Sequence, residues 1–137
     1  MCLCLRGNRG VIAEADIVCY KVVKDGDISK LTAETENIFY TYYQGFPVEM
    51  GKEFDSLLII KNNRIDIGLH SFAILEDAKE FLMRKALAWS DKNLYIVKCI
   101  IPKGSKYCDG FFVSYTKKFE SFASDTLRYV EIIFNYV

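Results

Sequence analysis

The segment Ile65–Trp89, IDIGLHSFAILEDAKEFLMRKALAW, decides the fold class. Its first eight residues read as a strand ending at Phe72. From Leu75 onward the apolar period changes to that of a helix. Ile74, Ala78, Phe81, Leu82, Ala86 and Trp89 fall on one broad face, and Glu76 with Asp77 suits the positive end of the helix dipole. This is the best helix in the chain, and everything around it reads as strand.

Upstream, Leu57–Lys61 and Ile65–Phe72 flank Asn62-Asn63, a pair that tolerates positive φ and suits a tight hairpin. Asp16–Val23 (DIVCYKVV) is apolar on both faces and reads as an interior strand. Lys24-Asp25-Gly26-Asp27 is a turn signal. Ile28–Phe54, with its aromatic cluster Phe39, Tyr40, Tyr42 and Tyr43, reads as an extended segment and loop, with a short helix around Ser29–Glu36. Downstream, Leu94–Ile101 (LYIVKCII) is a strand stopped by Pro102 and the Lys103-Gly104 turn. Asp109-Gly110 predicts another turn with a strand after it. The β-branched and aromatic residues of Leu127–Tyr136 favour strand, with Val130, Ile132, Phe134 and Tyr136 inward. The sum is an α+β domain: a mixed or mostly antiparallel sheet of about five to seven strands with one main helix, 75–89, packed on it. Residues 1–15 read as a loose lead-in and 16–137 as a single domain.

The chain of 137 residues is 51% hydrophobic, enough to build a core without disulfides or a metal. Eighteen basic residues balance 18 acidic ones, against the positive excess of a nucleic-acid binder. Near neutrality also favours self-association, so a homodimer or a protein partner is expected. The cysteines Cys2, Cys4, Cys19, Cys99 and Cys108 fit neither a secreted disulfide framework nor a zinc site. Cys19 and Cys99 sit in apolar runs where buried free thiols are common. Cys2 and Cys4 lie at a terminus expected to carry no role. No apolar stretch approaches the roughly 20 residues of a membrane helix, and no signal-peptide core is recognisable, which sets the expectation of a cytoplasmic protein.

His70 is the only histidine and sits where strand passes to helix. It is either a substrate-facing group or a histidine satisfied by backbone. A Cys–His pair with Cys19, Cys99 or Cys108 has no local signature. Lys98–Lys118 carries five lysines against the single acid Asp109, interleaved with Tyr107, Phe111, Phe112, Tyr115 and Phe119. This is either a stacking and phosphate-contact surface for single strands or a strand pair with a solvated lysine face over an aromatic core. Neutral charge and the absence of arginine favour the second reading. No Walker, Rossmann, nucleophile-elbow or His-Glu-x-x-His motif is present.

The order Tyr20-Lys21, Gly68-Leu69-His70-Ser71-Phe72, Glu76–Phe81, Ile96–Gly104 (IVKCIIPKG) and Ser124–Tyr129 resembles small proteins of the ADP-ribosyltransferase-like fold. It is also similar to domains of gut bacteria and their phages with a glycine–x–histidine, helix, lysine–glycine-turn layout. The resemblance spans residues 16–137. It implies Tyr20 and Lys21 as cofactor-binding residues, His70 as shared between binding and catalysis, Ser71 as catalytic, and Asp125 (Glu120 as alternate) as the carboxylate that steadies an oxocarbenium-like centre. The bound cofactor would be NAD, while the residues alone imply no cofactor and no metal. This sequence departs from the transferase pattern: the first strand lacks His and Arg, and the middle strand lacks the Ser-Thr-Ser run. The reading favoured by the sequence is therefore a non-enzymatic interaction protein of phage or mobile-element type using a binding cleft. A divergent transferase or nucleotide-binding domain is the alternative, and a single-strand binder through 98–118 the third.

Overall fold

The computed structural model describes residues 4–5, 10–25, 39–41, 47–89, 94–114 and 116–135. The strands are β1 (Cys4–Leu5), β2 (Val11–Ile12), β3 (Ile17–Asp25), β4 (Phe39–Thr41), β5 (Pro47–Val48), β6 (Glu53–Asp55), β7 (Ile59–Lys61), β8 (Arg64–Ile67) and β9 (Leu69–Phe72). The single described helix α1 (Leu75–Trp89) follows, then β10 (Leu94–Ile101), β11 (Lys106–Ser114), β12 (Lys117–Ser124) and β13 (Thr126–Asn135). All described pairings are antiparallel, in the order β6-β13-β10-β3-β9-β12-β11-β1-β8-β7, with β2, β4 and β5 attached at the side. The α+β class stands, but the expected five to seven strands are too few: ten lie on the main path alone. Several are two or three residues long, too short to leave a periodic signal in the sequence. No described helix is long and apolar enough to cross a membrane.

Within the stretch read as lead-in, β1 pairs with β11 and β8, β2 pairs with β11, and Ala13 is buried. The helix proposed for Ser29–Glu36, the residues Tyr42, Tyr43, Tyr115 and Tyr136, and Cys2 lie outside the described residues. Asn62 and Asn63 take φ of 52° and 61° at the β7–β8 hairpin, the left-handed pair that this turn needs. The strand expected over Ile65–Phe72 divides at Gly68. A Cβ there would meet Leu58 Cδ1 at 2.9 Å and Ile65 Cγ2 at 3.2 Å, so a larger residue would have to displace these side chains where the chain passes from one pairing set to the next.

Asp109-Gly110 is not a turn. Both residues lie inside β11, opposite Phe122 and Ser121 of β12, and the chain reverses instead around Thr116, at φ 60°. Buried Gly110 keeps the ladder because its neighbours on both sides pair continuously; turn propensity yields to sheet contacts.

Cα partners across a ladder share a face, which separates two cores. On the helix side, Val22, Phe72, Ile96, Phe112 and Phe119 meet Ala78, Phe81, Leu82 and Ala86 of α1. Phe72, Phe81, Phe112 and Phe119 pack ring on ring at centroid separations of 5.2–6.1 Å. The helix has the expected bounds, but Ile74, expected on the buried face, precedes its first turn and is 45% exposed, and Leu75 packs against the core in its place. On the opposite side, Cys19, Val23, Val97, Cys99, Ile101, Leu127 and Tyr129 pack with Val48, Met50 and Phe54.

β13 departs from the expected alternation. Leu127 and Tyr129 are its buried residues, whereas Ile132 and Ile133 are exposed and Phe134 is half-buried toward the helix. The register against β10 slips twice, between Cys99↔Tyr129 and Lys98↔Glu131 and between Val97↔Ile132 and Ile96↔Phe134. Val130 and Ile133 are thus the extra residues of two bulges, and each bulge moves the following side chains to the other face.

Candidate functional site

The sheet falls into two continuous halves. β3 is paired with β10 over Ile17–Lys24, and β9 along its length with β12, but β3 and β9 meet at one described pair, Tyr20↔Phe72. Four of the five residues singled out from sequence lie at this seam. Alternation divides them between the faces: Tyr20 and His70 project on the helix side, Lys21 and Ser71 on the opposite side.

Lys21 is 6% exposed and Ser71 4% exposed. Lys21 Nζ donates to the His70 carbonyl oxygen at 2.8 Å. A continuous β3–β9 ladder would have offered that buried carbonyl a main-chain donor; here an ammonium does so. Ser71 Oγ faces the Cys19 thiol and makes no well-formed hydrogen bond, the one such buried side-chain atom among the described residues. Cys19 and Cys99, directly opposite one another, and Tyr129, opposite Cys99, complete this side of the site, and all three are buried.

The electrostatics follow from burial. Desolvation lowers Lys21 to about 8, with the Cys99 and Cys19 thiols pulling weakly the other way. Burial pushes the Cys19 thiol up to about 11 against the opposing Ser71 hydroxyl and Lys21 ammonium, and raises Cys99 well above the usual thiol value. Tyr129 is raised by desolvation and by both thiols. Desolvation first, then the Lys21 ammonium, lowers His70 to about 4, so the imidazole is neutral at physiological pH. The arrangement can offer a hydrogen-bond-donating ammonium and a hydroxyl to an anion or a carbonyl oxygen in apolar surroundings, where each polar contact is strengthened. Lys21 and Ser71 are the residues fit to hold the charged part of a ligand.

Asp125 sits apart, at the β12–β13 junction. Its carboxylate accepts from Lys106 N–H at 3.1 Å and from the Thr126 hydroxyl at 3.1 Å, while its own backbone bonds Lys106 and Ser56. Glu120, the alternate, lies on β12 with its N–H bonded to Asp77 Oδ2 at 3.1 Å and its carbonyl accepting from Ala73. The lysines of 98–118 do not form one surface. Lys117 is held by Glu80 and by Asp77 at 3.4 Å, and Lys118 lies over the Phe111 ring at 4.3 Å. Lys103 is in the turn, where its N–H meets Asp16 Oδ1 at 2.8 Å, and Phe112 and Phe119 are core.

Sequence reasoning named Lys21 and Ser71 for the site and weighed Cys99 only as a partner of His70, but it did not bring Cys99 and Tyr129 to Lys21. Cys19 and Cys99 had been read as buried thiols, and they are 0% exposed. Their alignment depends on the β3–β10 register, which neither segment carries by itself. No group of three or more candidate metal-ligating side chains occurs among the described residues. Compared with known proteins, the chain matches no family model, no curated protein and no solved structure.

Proposed function

We propose that the protein is a non-enzymatic binding domain whose ligand site is the seam between its two half-sheets. Lys21 and Ser71 there receive a small ligand bearing an anionic or carbonyl oxygen. The observation that carries this reading is the buried Ser71 Oγ, which makes no well-formed hydrogen bond and lies on the same face of the seam as the buried Lys21 ammonium. Each of these groups costs stability in an apolar core, and buried groups kept at such a cost concentrate at sites of function. A binding role, not turnover, is favoured because neither acid implied by the transferase resemblance is free at the seam: Asp125 closes the β12–β13 junction and Glu120 lies on another strand.

Thermal-shift and calorimetric titrations with small carboxylates, phosphates, NAD, ADP-ribose and a single-stranded oligonucleotide test the reading. A ligand at about 100 times its dissociation constant adds roughly 2.7 kcal/mol of stability. Stabilisation of the wild type that is lost in Ser71→Ala and Lys21→Met supports the seam. Equal stabilisation of all three proteins rejects it. Binding of NAD that is lost instead in His70→Ala and Asp125→Ala supports the transferase reading.

A further inference from the structure

We propose that Cys19 and Cys99 are a latent redox pair that a small peroxide converts to an intramolecular disulfide. The inference is independent of the ligand reading. Cys19 and Cys99 are Cα partners in the antiparallel β3–β10 ladder, on the same face, and both are free. Antiparallel partners have Cα atoms about 4.5 or 5.5 Å apart, and disulfides span about 4.4–6.8 Å. The Cα separation of the pair therefore lies within the range that a disulfide spans. Cys108 cannot compete, because it pairs with Ala123 opposite His70, on the helix side of the sheet.

Burial in the apolar core normally makes a thiol inert, and two features qualify that here. Burial raises both thiols, but the Ser71 hydroxyl and the Lys21 ammonium oppose it at Cys19 and only the ammonium does so at Cys99, so Cys19 is the more readily ionised and the attacking sulfur. In addition, β3 meets β9 at a single described pair, so local opening there admits a small oxidant at lower cost than elsewhere along β3. Cys19 Sγ attacks one peroxide oxygen: an S–O bond forms, the O–O bond breaks, and water leaves. Cys99 Sγ then attacks Cys19 Sγ: the S–S bond forms, the S–O bond breaks, and the hydroxyl departs with the Cys99 proton as a second water. The two thiols lose two electrons and hydrogen peroxide gains them.

The experiment treats the folded full-length chain with hydrogen peroxide at pH 7 and pH 9, followed by intact mass and non-reducing peptide mapping. The expected product has lost the mass of two hydrogens, carries a Cys19–Cys99 cross-link, forms faster at pH 9 and is reversed by dithiothreitol. Cys99→Ala should instead accumulate a Cys19 sulfenic acid that dimedone traps, and Cys19→Ala should form neither. Overoxidation without cross-linking, or a cross-link confined to Cys2, Cys4 or Cys108, overturns the proposal. So does a Cys19–Cys99 bond that appears only after urea unfolding.

Discussion

Lys21 Nζ bonds the carbonyl oxygen of His70 at 2.8 Å, so a side chain of β3 ties the two half-sheets together where main-chain pairing is reduced to one residue pair. The ammonium is both a structural tie and a desolvated charge, and the two roles predict opposite responses to substitution.

Lys21→Met removes the charge and the tie while preserving length. Relief of desolvation is worth about 3 kcal/mol, from the difference between 10.5 and about 8. Stranding the His70 carbonyl costs about 1–3 kcal/mol. The variant should be unchanged or more stable by up to about 2 kcal/mol at pH 7 in urea unfolding. A loss above about 2 kcal/mol would show that the tie dominates. The pH dependence gives a second check. Because the folded value is the lower one, the unfolded chain binds more protons between about pH 8 and 10.5, and this group makes stability rise with pH across that window. Cys19, Cys99 and Tyr129 act oppositely from about pH 9 upward, since their folded values are raised. Subtracting the Lys21→Met curve from the wild-type curve isolates the lysine.

His70 gives an acid limb. Its folded value of about 4 lies below the ordinary 6.5, so the unfolded chain takes the proton first as pH falls. Stability should drop across pH 6.5 to 4, by about 2 kcal/mol after allowance for the ring's partial exposure. His70→Gln should flatten that limb, and NMR titration of the imidazole should give a midpoint near 4. A midpoint at or above 6.5 would remove the argument that the ring is desolvated.

Asp125 is predicted to be a structural residue. Asp125→Ala strands Lys106 N–H, whereas the Thr126 hydroxyl keeps Asp55 Oδ1 at 3.2 Å, and it should cost about 1–2 kcal/mol by thermal or urea unfolding. An unaltered Tm accompanied by lost ligand binding would instead make it part of the site.

Glu80 holds Lys117 and, at 2.7 Å, Arg84, and Lys117 also reaches Asp77, so this cluster ties α1 to the β11–β12 hairpin. Hydrogen bonding to Lys117 is the main reason that Glu80 lies below its ordinary carboxylate value. Its contribution is present above the unfolded value and is lost as pH falls through the folded one. Glu80→Gln should lower Tm at pH 7 and leave it unaltered at pH 2.5, with the difference reduced in 1 M salt. A Tm difference that persists at pH 2.5 would point to packing.

The sequence marked the long elements because each buries a periodic set of side chains: LYIVKCII became β10 without a shift of boundary, and α1 lies where Phe81, Leu82 and Ala86 place it. Asn62-Asn63 was legible because positive φ selects few residue types. Lys117–Ser124 passed unassigned because serine, alanine and charge interrupt its apolar alternation, and only pairing with β9 and β11 makes it a strand. The site was half legible for the same reason. Lys21 and Ser71 could be named within their own segments, but the thiol pair and Tyr129 are assembled by register among β3, β10 and β13, which no local window contains.

The two bulges of β13 also bear on how this molecule behaves at high concentration. Val130–Asn135, VEIIFN, has the composition of a segment that stacks into fibrils, and past the contacts of Gly51 and Lys52 with Tyr129 no described strand covers its outer edge. An extra residue at Val130 and another at Ile133 spoil the even spacing of amides and carbonyls that a second chain would need as a template, and Glu131 between them adds charge repulsion. The irregularity that misled the reading of this strand is thus a barrier to aggregation, built from two residues without which the edge would be regular and adhesive.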